Sequence, residues 1–98
     1  MTPARLLQIH VCESDRYGDR PLYQALIDKC RELGLSGATA LRGIEGYGAS
    51  GHIGRAPLLV IAVDTADRIS AAAPALEAML ETGVLAVEQV AVRRVRKG

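Results

Sequence analysis

An α+β fold of order β-α-β-β-α-β is what this sequence predicts, and three observations carry it. Residues 6–12, "LLQIHVC", alternate Leu7, Ile9 and Val11 with Leu6, Gln8 and His10, the period of a strand. Two later stretches, "PLLVIAVD" at 57–64 and "VLAVEQVAVR" at 84–93, are rich in leucine and β-branched residues. Two intervening segments instead repeat their apolar residues at helical spacing. Two βαβ halves joined by a hairpin make the ferredoxin-like arrangement, an antiparallel sheet with two helices on one face. A length of 98 residues argues for one such domain, over 1–98. A domain this small is marginally supported by its own buried area, which favours self-association.

Each element has its own signals. After the first strand the turn-rich "ESDRYGDRP" leads to Pro21, which suits the first turn of a helix. Leu22, Leu26, Cys30 and Leu33 then mark a helix over roughly residues 20–33, and Gly34 followed by Leu35 reads as its left-handed stop. "GATALRGI" is the second strand. The run at 57–64 reads as a strand buried on both faces. Thr65 can cap a second helix with Ile69, Ala72, Ala73, Leu76, Met79 and Leu80 on one stripe. Pro74 lies inside it and predicts a kink or a break into two pieces. Gly83 ends that helix. In the last strand the apolar phase shifts between Leu85/Val87 and Val90/Val92, so either a bulge lies near Glu88 or both faces are covered. With the helices on one sheet face, the other carries Leu6, Leu58, Val60 and Ala62 or their alternates. That face is too apolar for water, and another copy of the chain is the simplest cover.

Composition excludes several roles. A net charge of +1 creates no field for nucleic acid or membrane. No run approaches the ~20 apolar residues of a membrane span. The N-terminus lacks the signal-peptide pattern, and Cys12 and Cys30 have no paired spacing, so a cytosolic chain with reduced thiols is expected. The basic end "RRVRKG" does not make an RNA-binding sheet, because Tyr17, Tyr23 and Tyr47 fall outside the central strands where bases would stack. No nucleic-acid partner is expected.

The segment "RGIEGYGASGH" at 42–52 contains G-x-G-x-x-G at Gly46, Gly48 and Gly51. A dinucleotide cradle needs a helix behind those glycines, and here "HIGRAP" and another strand follow, so that reading is rejected. Two readings stay open. One is a hairpin connection whose glycines serve turns with positive φ. The other is an anion nest of backbone N–H groups near Arg42 and Arg55. His10 and Cys12 alternate onto one strand face and offer two metal ligands, where a structural zinc takes four. Glu13 and Asp15 are a nearby pair of carboxylates, and Ser14, Asp15, His10 and His52 supply triad residue types. Nothing in the sequence fixes either geometry, and turn hydrogen bonds suit Ser14 and Asp15 better. No catalytic constellation emerges, so the chain is not expected to be an enzyme and needs no cofactor.

Three blocks together, "ESDRYGDRPLYQALIDKCRELGLSGATALRGIEGYGASG", "VDTADRI" and "ALEAMLETGVLAVEQVAV", resemble the PII-like family of unknown function numbered 190, over nearly the whole chain. That family is similar to PII signal-transduction proteins, whose ferredoxin-like subunits form trimers with their sheets packed inward. The resemblance implies a homotrimer that binds a small anionic ligand, plausibly an adenine nucleotide, in clefts between subunits. By position, the base of the long loop corresponds to Arg42, Gly43, Glu45, Gly46, Tyr47 and Gly48. The turn before the last strand corresponds to Thr82 and Gly83, and the basic C-terminal residues to Arg93, Arg94 and Arg96. In PII proteins the loop after the second strand contacts partners such as membrane transporters; here "HIGRAP" leaves it shorter than family members generally have it. Two alternatives follow: a metal-binding oligomer using His10 and Cys12, or an interaction module without a ligand.

Overall fold

The computed structural model describes residues 1–46 and 56–97. Strand β1 runs Thr2–Cys12, and a two-rung hairpin follows, β2 at Arg16–Tyr17 and β3 at Arg20–Pro21. Next come helix α1 at Leu22–Glu32, β4 at Thr39–Arg42, β5 at Pro57–Asp64, α2 at Ala66–Glu77 and β6 at Val84–Val92. The main sheet is ordered β4-β5-β1-β6 with every pairing antiparallel, the ferredoxin-like topology expected.

The alternation along β1 decides where the core lies. Leu7, Ile9 and Val11 pair across the ladder with Ala62, Val60 and Leu58 of β5, and all six are buried. Against them pack Leu22, Leu26 and Cys30 of α1 and Ile69, Ala72 and Leu76 of α2. Of the two sets left open for the uncovered face, Leu58, Val60 and Ala62 or their alternates, the register therefore places the first in the core. Antiparallel partners share a face, so their alternates Leu59, Ile61 and Val63 stand beside Leu6 on the side without helices.

Helix α1 stops where its residues dictate, whereas α2 ends at Glu77, short of the Gly83 stop expected from the sequence. Gly34 takes φ +82, its N–H donates to the Arg31 carbonyl, and the Leu35 N–H donates to the Cys30 carbonyl, while Leu35 is buried. At the start of α2 the Thr65 hydroxyl accepts from the Arg68 N–H at 3.3 Å. Pro74 does not break α2, which is continuous from Ala66 to Glu77. Pro74 and Ser70, whose carbonyl the missing N–H would have met, are not buried, so water can serve that carbonyl.

The last strand holds one register from Val84 opposite His10 to Val92 opposite Thr2, so no bulge interrupts it at Glu88. Its two apolar faces are not closed over by the described residues either: Val84 is 51% and Val87 42% exposed. β6 is a sheet edge, and the core reaches only as far as Leu85, which packs partly against it. Among the described residues no helix is long and apolar enough to cross a membrane.

Candidate functional site

The segment between β4 and β5 leaves the sheet through a tightly closed base. The Gly43 N–H donates to the Pro57 carbonyl at 2.7 Å, and the Glu13 N–H donates to the Ala56 carbonyl at 2.9 Å. A Cβ on Gly43 would lie 2.5 Å from Pro57 Cγ, so only glycine permits this approach. Arg42 is not a free cation here: its guanidinium pairs with the Glu13 carboxylate, with both side chains well exposed. Glu45 and Gly46 stand in solvent just beyond. Tyr47, Gly48, Gly51, His52 and Arg55, and with them most of the glycine motif, lie outside the described residues.

Sheet register assigns the remaining expected residues to two ends. Arg42 lies beside Leu58, Cys12 beside Pro57, and His10 beside Val84, so Thr82 and Gly83 share an end with the loop base. Gly83 takes φ +142 there, and a Cβ on it would meet the His10 carbonyl at 2.9 Å. The other expected group is elsewhere. β6 runs away from this end, and Arg93, Arg94 and Arg96 follow Val92, which pairs with Thr2 at the opposite end. An eight-residue strand such as β5 separates the two ends by roughly 25 Å. One chain therefore does not bring the two halves of the expected site together.

At the C-terminal end Arg94 lines a shallow, open cleft of about 530 Å³ with Ser36, Gly37, Ala38, Thr39, Ile61, Ala62 and Val63. Ala38, Ile61 and Val63 give it apolar sides next to the basic Arg94, a combination suited to a flat ring carrying an anion. The sequence reading missed the Ser36–Thr39 wall because small residues leave no periodic trace.

Beside that wall lies Asp64, only 8% exposed. Burial pushes its carboxyl up, but the N–H of Ser36, the N–H of Thr65, the Ser36 hydroxyl and the Arg68 charge together outweigh that and hold it below the usual carboxylate range. The Ser36 N–H donates to Oδ2 at 2.8 Å, the Ser36 hydroxyl to Oδ2 at 3.1 Å, and the Thr65 N–H to Oδ1 at 2.7 Å.

The other candidate chemistry resolves into structural roles. Asp15 accepts the Cys12 N–H at 2.9 Å and its own N–H donates to the Cys12 carbonyl, so the carboxylate closes the turn after β1. Glu13 is engaged by Arg42. His10 and Cys12 do share the open face, with His10 Nε2 at 3.3 Å from Gln8 Oε1. Among the described residues no three metal-ligating side chains gather. Burial pushes the Cys30 thiol up, away from a reactive thiolate.

Comparison with known proteins agrees with this architecture. The profile of the DUF190 family, Uncharacterized ACR, matches residues 4–92. A UPF0166 protein of Methanocaldococcus jannaschii is 28% identical over 95 residues, covering 89% of this chain and 88% of that protein. A UPF0166 protein of Aquifex aeolicus is 39% identical over 49 residues, which span 50% of this chain and 47% of that relative. Among solved structures, CPII of Thiomonas intermedia K12, a nitrogen regulatory PII-like protein bound to ADP, AMP and bicarbonate, superposes with a TM-score of 0.73 at 19% identity, covering 93% of this chain and 96% of CPII. The Bacillus subtilis GlnK–ATP complex superposes at 0.59 with 16% identity, covering 92% and 84%. A PII-like signaling protein of Thermus thermophilus gives 0.65 at 20% identity, covering 91% and 87%. At these identities the superpositions speak to fold alone, and the family match supplies the rest: this chain belongs to the DUF190 family and carries its PII-type ferredoxin-like fold.

Proposed function

We propose that the chain is one subunit of a cytoplasmic homotrimer, a non-enzymatic sensor that binds an adenine nucleotide between subunits. The observation that carries this reading is the division of the expected site. Arg42, Gly43, Glu45, Gly46, Thr82 and Gly83 belong to one end of the sheet, and Arg93, Arg94 and Arg96 to the other. Only a neighbouring copy can bring the halves together, and the apolar open face between them is a surface on which copies can meet. The base and ribose occupy the cleft beside Arg94, and the phosphates reach the loop base of the next subunit. That CPII is bound to ADP and AMP, and GlnK to ATP, favours an adenine nucleotide. Binding at the loop base then changes the surface that end of the sheet offers to a protein partner, such as a membrane transporter.

The pairing of Arg42 with Glu13 favours a second reading, an interaction module that binds no nucleotide because its loop-base cation is already neutralised. A thermal-shift titration with ATP, ADP and AMP separates the two. Ligand at 100 times its dissociation constant adds about 2.7 kcal/mol per site. Arg94→Ala and Arg42→Ala should each abolish the shift. Oligomers assembled from a mixture of the two variants should recover a minority of intact sites, because each site draws on two chains. A mixture that recovers none would place both halves in one chain and overturn the inter-subunit site. No shift in the wild type would favour the ligand-free module.

A further inference from the structure

We infer that Asp64 is a positioning residue for the cleft beside Arg94, holding its two walls in register through Ser36. The inference rests on the nucleotide reading above and names the residue that shapes its site. One wall of the cleft is Ser36–Thr39, and the other is the end of β5, Ile61–Val63, which Asp64 directly follows. Ser36, Gly37 and Ala38 belong to neither helix nor strand, so no ladder fixes them. Thr39 is already laddered to Ile61, and ahead of it the Asp64 carboxylate ties Ser36 to the end of β5. Its side chain is 4% exposed, and its Oδ2 takes both the N–H and the hydroxyl of Ser36, a residue 28 positions away. Arg68, a turn into α2, adds a second tie: its Nη1 lies 3.8 Å from Asp64 Oδ1 and 3.5 Å from the Gly34 carbonyl.

The geometry accounts for the residue types. Two carboxylate oxygens face three donors, the Ser36 N–H, the Ser36 hydroxyl and the Thr65 N–H. An asparagine of the same shape presents one acceptor and an NH₂ group, so one of those donors would meet another donor. This also gives the "VDTADRI" segment a role: its first aspartate, Asp64, clamps the "SGATAL" segment that leads into β4.

The test measures two things on the oligomer as it exists: hydrogen exchange at residues 36–39 without ligand, and the Kd for ADP at a temperature where every variant is folded. Asp64→Asn should speed exchange at 36–39 while leaving β1 and α1 unchanged. It should weaken ADP by about tenfold, the equivalent of one charge-assisted hydrogen bond. Ser36→Ala, which removes only the hydroxyl, should show the same pattern at smaller amplitude and serves if Asp64→Asn does not fold. Ser36→Thr keeps both donors and should bind as the wild type does. Thr65→Ala removes the α2 cap without touching Ser36; it should lower Tm and leave the Kd alone. Unchanged exchange at 36–39 in Asp64→Asn and Ser36→Ala, or ADP affinity that falls equally in Thr65→Ala, overturns the inference. A wild type that binds no ADP overturns the nucleotide reading instead, and the exchange result alone then upholds or overturns the clamp.

Discussion

The two faces of the main sheet are made from much the same residues and meet different fates. On the helix side Leu7, Ile9, Val60 and Ala62 lie under α1 and α2 and are no more than 3% exposed. On the open side Leu6, Leu59, Ile61 and Val63 alternate with them along the same strands, yet neither helix packs over that face. Val63 is left 38% exposed, and Leu41 on the neighbouring β4 47%. Helix-side leucines are spent on folding, whereas the open-side ones remain available for association. The polar residues follow the same division. Asp64 sits on the covered side with three donors around it, while His10, Gln8 and Glu88 lie on the open side.

The largest test of that contrast acts on the covered face. Leu26 is fully buried in α1, and Leu26→Ala should cost about 2–5 kcal/mol of subunit stability, read by urea unfolding. If that loss were no larger than for Leu59→Ala on the open face, the two sides would not differ as described. A medium effect comes from Asp64. Its folded carboxyl is held below its ordinary value, so the stability it contributes is present above about pH 4 and is lost as pH falls through the depressed folded value. Acid unfolding of Asp64→Asn should accordingly be less steep in that range than that of the wild type; parallel curves would remove Asp64 from the acid transition. The smallest effect belongs to the loop base. Arg42 and Glu13 are an exposed pair, and Glu13→Gln should change stability by less than about 1 kcal/mol. A larger loss would mean that this ion pair holds the loop base closed, a part now assigned to the backbone bonds of Gly43 and Glu13.

Much of this frame was legible in the residues because local signals and periodicity wrote it. The Gly34–Leu35 stop and the Thr65 cap are short-range chemistry, and β1 and β5 carry strand periodicity or β-branched runs. What escaped reading was long-range or too short to have a period. The β2–β3 hairpin has two residues in each strand. The Ser36–Asp64 and Glu13–Arg42 contacts join residues 28 and 29 positions apart, and no local pattern announces either. The face assignment of β5 was ambiguous for a related reason: every residue from Leu58 to Val63 is apolar, so only its register against β1 decides which side is which. The candidate site was half legible. The positions followed from family resemblance, but their division between two sheet ends emerged only once the strands were paired.

The central claim is that the open face assembles the site. Leu59→Glu places a charge in the middle of that face, paired opposite His10 and away from the helices. Its mass by sedimentation and its ADP binding, measured on one sample, test the claim most directly. A folded monomer with native circular dichroism and no ADP binding is the expected result. A folded monomer that binds ADP as tightly as the wild type would contradict it.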